Sequence, residues 1–117
     1  KLKNVVILNK RAEECTDLKE QFDVVSARAV AALPILLELC VPLVKINGQF
    51  IAMKGALAFE EFEQSKQAIA ILKLKEPRIV ECELPHAGKR NHLIFNKDKA
   101  CPSIYPREYR HIKKKPL

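Results

Sequence analysis

A chain of 117 residues, 48% of them hydrophobic, is too apolar for a disordered polymer and long enough to fold as one domain around a real core. Its formal charge of +7 is concentrated at one end: residues 1–85 hold 12 Lys/Arg against 12 Asp/Glu, whereas residues 86–117 hold nine against two. That asymmetry points to a polyanionic partner, nucleic acid or an anionic membrane surface, more than to an acidic small substrate, with a solubilising tail as the alternative.

In chain order, residues 5–8 (VVIL) and 22–25 (FDVV) read as short buried strands separated by a polar stretch. Residues 29–44 are apolar on nearly every side and predict a helix packed between a sheet and other helices, with Pro34 near its first turn and Pro42 near its end. Interrupted by Pro34, Glu38 and Pro42, this segment falls short of the ~20 residues of a membrane span. Asn47-Gly48 reads as a stop, 49–53 as a third strand, and 57–72 as an amphipathic helix with Glu60, Glu61 and Glu63 toward its start. Residues 78–84 (RIVECEL) and 91–96 (NHLIFN), separated by Pro85-His86-Ala87-Gly88, predict an antiparallel hairpin.

Strands separated by helices at this spacing argue for an α/β fold with a parallel sheet, which the hairpin closes with an antiparallel edge. After residue 97 the pattern dissolves into KDKACPSIYPREYRHIKKKPL, a basic, Pro-containing tail over 98–117 that is expected to be draped and only partly ordered. Cysteines 15, 40, 82 and 101 form no C-x-x-C pair and have no spaced His partner, which gives a zinc or redox site little support; Cys40 reads as core. The chain opens with no signal peptide, so a cytoplasmic protein with reduced thiols is expected.

Ligands of parallel α/β sheets bind at the carboxyl ends of the strands. Three stretches are expected there: residues 9–13 (NKRAE), Ser26-Ala27-Arg28 and Lys54-Gly55. Each alone reads equally well as a solvated loop, but three polar strand ends on one rim are harder to dismiss. Arg28 is placed at the mouth of a cleft, where a guanidinium can meet a carboxylate, a phosphate or an aromatic ring.

FDVVSARAVAALPILLELCVPLVKINGQFIAMKG, preceded by RAEE and followed by YPR and a closing KKKPL, resembles the glucose-inhibited division protein B family (GidB, RsmG), the bacterial 16S ribosomal RNA guanine-N7 methyltransferases. The likeness covers essentially the whole chain but only the second half of the family's length. The family's glycine-rich loop belongs to the first half, and glycines occur here only at 48, 55 and 88.

The resemblance implies the second half of a Rossmann-like class I methyltransferase sheet, whose strand order is 3-2-1-4-5-7-6, over residues 1–97. It also implies S-adenosylmethionine as cofactor, with Ala12 and Glu13 at the adenine edge and Arg28 in the cofactor site. Ribosomal RNA of the small subunit is the implied partner, with no membrane involved. Arg11, Lys54 and Arg107 are the cations expected to guide it, joined by Arg110, Lys113, Lys114 and Lys115 of the tail, while Tyr105 and Tyr109 either stack on bases or pack the tail onto the domain. His86, His92 and His111 read as incidental.

Guanine N7 presents a free lone pair, so no proton has to leave before it attacks a methyl group. This fits a sequence without a convincing Ser/His/Asp or Cys/His constellation. With half of the family's chain unmatched, the fragment alone is expected to be inactive, with a weakened cofactor site and an exposed sheet edge through which it self-associates. A non-catalytic RNA-binding α/β module or an inactive remnant is the alternative; a nicotinamide fold is disfavoured because no G-x-G-x-x-G is present.

Overall fold

The computed structural model describes residues 18–28, 32–54, 58–85 and 88–117. The expected strand at 5–8, Arg11, Ala12 and Glu13, the first residues of the 29–44 segment, Gly55, and His86 and Ala87 lie outside the described residues.

Four strands, β1 (Phe22–Arg28), β2 (Val44–Lys54), β3 (Arg78–Leu84) and β4 (Gly88–Asn96), form one sheet in the order β1-β2-β4-β3. β1 and β2 are parallel, and β4 runs antiparallel to both β2 and β3. With helices α1 (Leu33–Cys40), α2 (Ala58–Gln64), α3 (Lys66–Ile71) and α4 (Tyr109–Lys114), the chain has a mixed α/β architecture.

Strand alternation builds the core. Phe50 and Ala52 of β2 and Leu93 and Phe95 of β4 lie on one face, where they meet Leu33, Leu36 and Leu37 of α1, Ala58 of α2, and Ala68 and Ile69 of α3. The Phe50 and Phe95 rings stack with centroids 6.1 Å apart. No described helix is long and apolar enough to cross a membrane.

Several boundaries differ from the sequence expectation. β1 does not end at Val25: Ser26, Ala27 and Arg28 continue it opposite Ile51, Ala52 and Met53. Nor is it a buried strand, because Phe22 and Val24 are 40% and 55% exposed and only Val25 and Ala27 pack against the core. The helix expected to run to residue 44 stops at Cys40; a 3-10 turn, Val41–Leu43, follows, and β2 begins at once. Pro34 sits in the first turn of α1 and Pro42 inside the 3-10 turn, places where a missing N–H costs little.

Asn47-Gly48 does not stop a helix but lies inside β2. Asn47 takes φ +74°, a left-handed value that Asn tolerates better than most residues. A Cβ at Gly48 would come within 2.6 Å of the Asp23 carbonyl oxygen and 2.8 Å of Val44 Cγ1. The β1–β2 register shifts at this level, between Phe22 and Val24, so the turn-like pair marks an irregularity in a strand.

The helix expected over 57–72 is two helices separated at Ser65, whose hydroxyl donates to the Glu61 carbonyl at 2.6 Å while its N–H reaches the Phe62 carbonyl at 3.0 Å. The tail is more structured than expected. Ile112 of α4 is fully buried, and Tyr105 and Leu117 pack against the core cluster.

Candidate functional site

The carboxyl ends of the parallel pair β1 and β2 bring Arg28 and Lys54 to one rim, on opposite faces of the sheet. Arg28 pairs with Met53 and is exposed on the face away from the core. Lys54, one position on, falls on the core face, where it is 3% exposed and pairs with the buried Asn91 across the strand. Its ammonium lies 3.1 Å from Glu61 Oε1.

The same Glu61 oxygen accepts the Leu33 N–H at 3.1 Å. α1 has no side-chain cap of its own at Ala32, so a carboxylate from α2 takes that role and joins the start of α1 to the end of β2. Glu61 thus holds two positive partners, a lysine ammonium and the N-terminus of α1. Lys54, expected to face RNA from the rim, is instead folded under the surface against Glu61. A buried ammonium needs such a partner, and Glu61 lies one helical turn into α2, within its reach.

The second polar centre joins α1 to the tail. Glu38, fully buried, receives Arg107 through Nε at 3.2 and 3.0 Å, through Nη2 at 2.7 Å and through the Arg107 backbone N–H at 2.8 Å. Arg107 Nη2 also donates to the Lys115 carbonyl at 3.0 Å, which ties the end of α4 to the same guanidinium. Hydrogen bonding to Glu38 raises the Arg107 pKa above its ordinary value, keeping it charged. Arg107, expected to guide RNA, is therefore committed to Glu38, with a quarter of its side chain left in solvent.

The remaining tail cations do face solvent. Arg110, Lys113, Lys114 and Lys115 are exposed, with Arg110 Nε 2.9 Å from Glu108. Arg107, His111, Lys114 and Lys115 line a shallow pocket of about 410 Å³. Tyr105 is half-buried against the core, so it packs the tail onto the domain.

Lys97, which contributes to the positive count of the last 32 residues, is 1% exposed. Its ammonium donates to the carbonyls of Val41 at 3.1 Å and Val44 at 2.7 Å and lies 3.7 Å from Glu20. Sequence reading missed Glu38, Glu61, Asn91 and Lys97. For Glu38 a signal existed, since a lone carboxylate inside an apolar helix requires a buried partner; Glu61 and Asn91 follow regular helix and strand patterns, and Lys97, just past β4, reads like any other lysine of the basic end, so these three carry none.

A family model described as rRNA small subunit methyltransferase G (GidB) matches residues 1–94 of the chain. Among similar proteins, the ribosomal RNA small subunit methyltransferase G of Mycoplasma capricolum is 47% identical over 113 residues, covering 97% of this chain and 49% of the relative. Those of Clostridium botulinum (strain Alaska E43 / Type E3) and Acetivibrio thermocellus are 42% and 45% identical, over 99% of this chain and 50% and 49% of their own. The chain spans about half the length of the curated relatives it matches.

Proposed function

The chain belongs to the GidB family, rRNA small subunit methyltransferase G, and from that premise we propose that it forms part of an enzyme that methylates guanine N7 of 16S ribosomal RNA. The match over residues 1–94 carries the proposal. The strand order β1-β2-β4-β3 supports it, being the order expected for strands four to seven of a class I sheet. In this reading residues 1–97 belong to the methyltransferase domain and 98–117 form its basic extension.

S-adenosylmethionine, when bound, supplies the electrophilic methyl group. Arg28 fits such a ligand: its guanidinium is exposed at the carboxyl end of a parallel strand, where cofactors of α/β sheets lie. Ala12 and Glu13 are proposed to hold the adenine edge. Arg11, with Arg110, Lys113, Lys114 and Lys115, would draw in the RNA backbone. Arg107 and Lys54 would contribute by fixing α4 and the end of β2 respectively. Guanine N7 needs no base to remove a proton, so the work of these residues is to orient the two reactants and exclude water.

A chimera tests this. The 113-residue matched segment of the Mycoplasma capricolum relative is replaced by this chain, and transfer of labelled methyl from S-adenosylmethionine to small subunits lacking the mark is measured. A folded chimera should transfer methyl to a guanine N7, and Arg28→Ala should weaken cofactor binding at least about tenfold. A folded chimera that binds the RNA without transferring methyl would favour the non-catalytic alternative.

A further inference from the structure

Two cations end the parallel pair of strands, and the fold treats them oppositely. Arg28, opposite Met53, is exposed at the rim. Lys54, the next residue along β2, is 3% exposed, with its ammonium 3.1 Å from Glu61 Oε1. A lysine at a strand end ordinarily extends its ammonium into water, because desolvating the charge is costly. Here α2 brings a carboxylate against it from seven positions along the chain, so the side chain is held beneath the rim and its charge is offset at close range.

That offset bears on the ligand proposed for the rim. S-adenosylmethionine carries a full positive charge on its sulfur, whereas its demethylated product, S-adenosylhomocysteine, carries none there; every other charged group is common to the two. A second uncompensated cation beside Arg28 would raise the potential at the rim. It would act against the sulfonium form selectively, because it responds to charge and not to shape.

We infer that Glu61 is a positioning residue that acts through Lys54: it holds the ammonium beneath the rim and offsets its charge, and so sets the preference of the site for the sulfonium cofactor over the neutral-sulfur product. The inference rests on the S-adenosylmethionine reading of the site.

Glu61→Gln tests it, since the amide removes the charge while its oxygen can still accept the Leu33 N–H that the carboxylate accepts now. In the chain alone, Lys54 of this variant should react with an amine-directed reagent at least about fivefold faster than in the parent. Lys97, 1% exposed and bonded to the Val41 and Val44 carbonyls, should stay slow and so reports an intact fold. In the chimera with the Mycoplasma capricolum relative, calorimetry gives the dissociation constants of S-adenosylmethionine and S-adenosylhomocysteine. Glu61→Gln should raise the ratio of the first to the second by about fivefold or more, Lys54→Met should lower it, and the double variant should return it near the parent value. A purely structural loss would weaken both ligands alike and leave the ratio where it was.

A ratio unmoved by Glu61→Gln, or a Lys54 no more reactive in that variant, overturns the inference and leaves the proposed function standing. Lys97 quickening together with Lys54 overturns it as well, because Glu61 would then hold the fold as a whole. A parent chimera that binds neither ligand removes the cofactor reading and the inference together.

Discussion

Arg107 closes on Glu38 across 69 positions of sequence, with its guanidinium and its own backbone N–H bonded to one fully buried carboxylate. The pair fastens the tail to α1. Its two partners are unequally placed, since Arg107 retains access to water and Glu38 has none.

That inequality sets the order of two substitutions. Arg107→Ala leaves a buried carboxylate without its countercharge and should cost about 3 kcal/mol, whereas Glu38→Ala frees an arginine that can turn outward and should cost about 2 kcal/mol. Urea denaturation of the two variants checks this; an equal or reversed order would show that α4 docks mainly through Ile112.

The exposed cations of the tail should behave oppositely. Replacing Lys113, Lys114 and Lys115 with Ala should change stability by less than about 0.5 kcal/mol, because none is buried. If the tail tracks single-stranded RNA, the same change should lower the slope of log affinity against log salt by about 2. Filter binding to a 16S fragment over a salt series measures the slope, and an unchanged slope would remove these lysines from the interface.

Lys97 should resist chemistry that its neighbours undergo. With its ammonium on two carbonyls and almost no exposed surface, it should react with an amine-directed reagent far more slowly than Lys113–Lys115, as peptide mass spectrometry would show. Lys97→Met should cost about 2–3 kcal/mol by removing the buried ammonium's hydrogen bonds to the Val41 and Val44 carbonyls. Labelling of Lys97 at the rate of the tail lysines would contradict its burial.

What was legible in the sequence follows from which physics was local. The strands at 78–84 and 91–96 and the apolar helix around residue 36 show in periodicity alone, because alternation and all-round apolarity are properties of contiguous residues. The split at Ser65 did not show, since serine breaks a helix only when its hydroxyl turns back onto the backbone. The Asn47-Gly48 pair misled because turn chemistry and a strand irregularity require the same residue types. The roles of Lys54 and Arg107 were least legible: a lysine ending a strand and an arginine in a basic tail look solvent-facing until Glu61 and Glu38 are brought against them from 7 and 69 positions away.

Gly48 supplies a test of the strand irregularity. An alanine methyl there would press on the Asp23 and Lys45 carbonyls at 2.6 and 3.0 Å, both backbone, and on Val44 Cγ1 at 2.8 Å. Backbone cannot yield as a flexible side chain does, so Gly48→Ala should cost about 2–3 kcal/mol and loosen the β1–β2 pairing. Hydrogen exchange along β1 should then quicken more than along β3, and unchanged stability would mean that the two strands can shift apart freely.

Cys40 gives the chain a distinct alkaline sensitivity. Its thiol, 8% exposed, is pushed by burial from the ordinary value of 9.0 to about 11. The unfolded chain gives up this proton near pH 9 while the folded chain holds it. Between those two values the native state therefore binds more protons than the unfolded state, and stability must fall as pH rises. Two units correspond to about 3 kcal/mol, absent below pH 9 and complete only above pH 11. Lysines and tyrosines also titrate in this window, so the informative quantity is the difference between the parent chain and Cys40→Ala. The substitution lowers stability at pH 7 by opening a cavity, but its stability should decline less steeply between pH 9 and 11, so the two curves converge. Parallel curves would mean that the thiolate reaches water in the folded state, contrary to its place between α1 and the 3-10 turn.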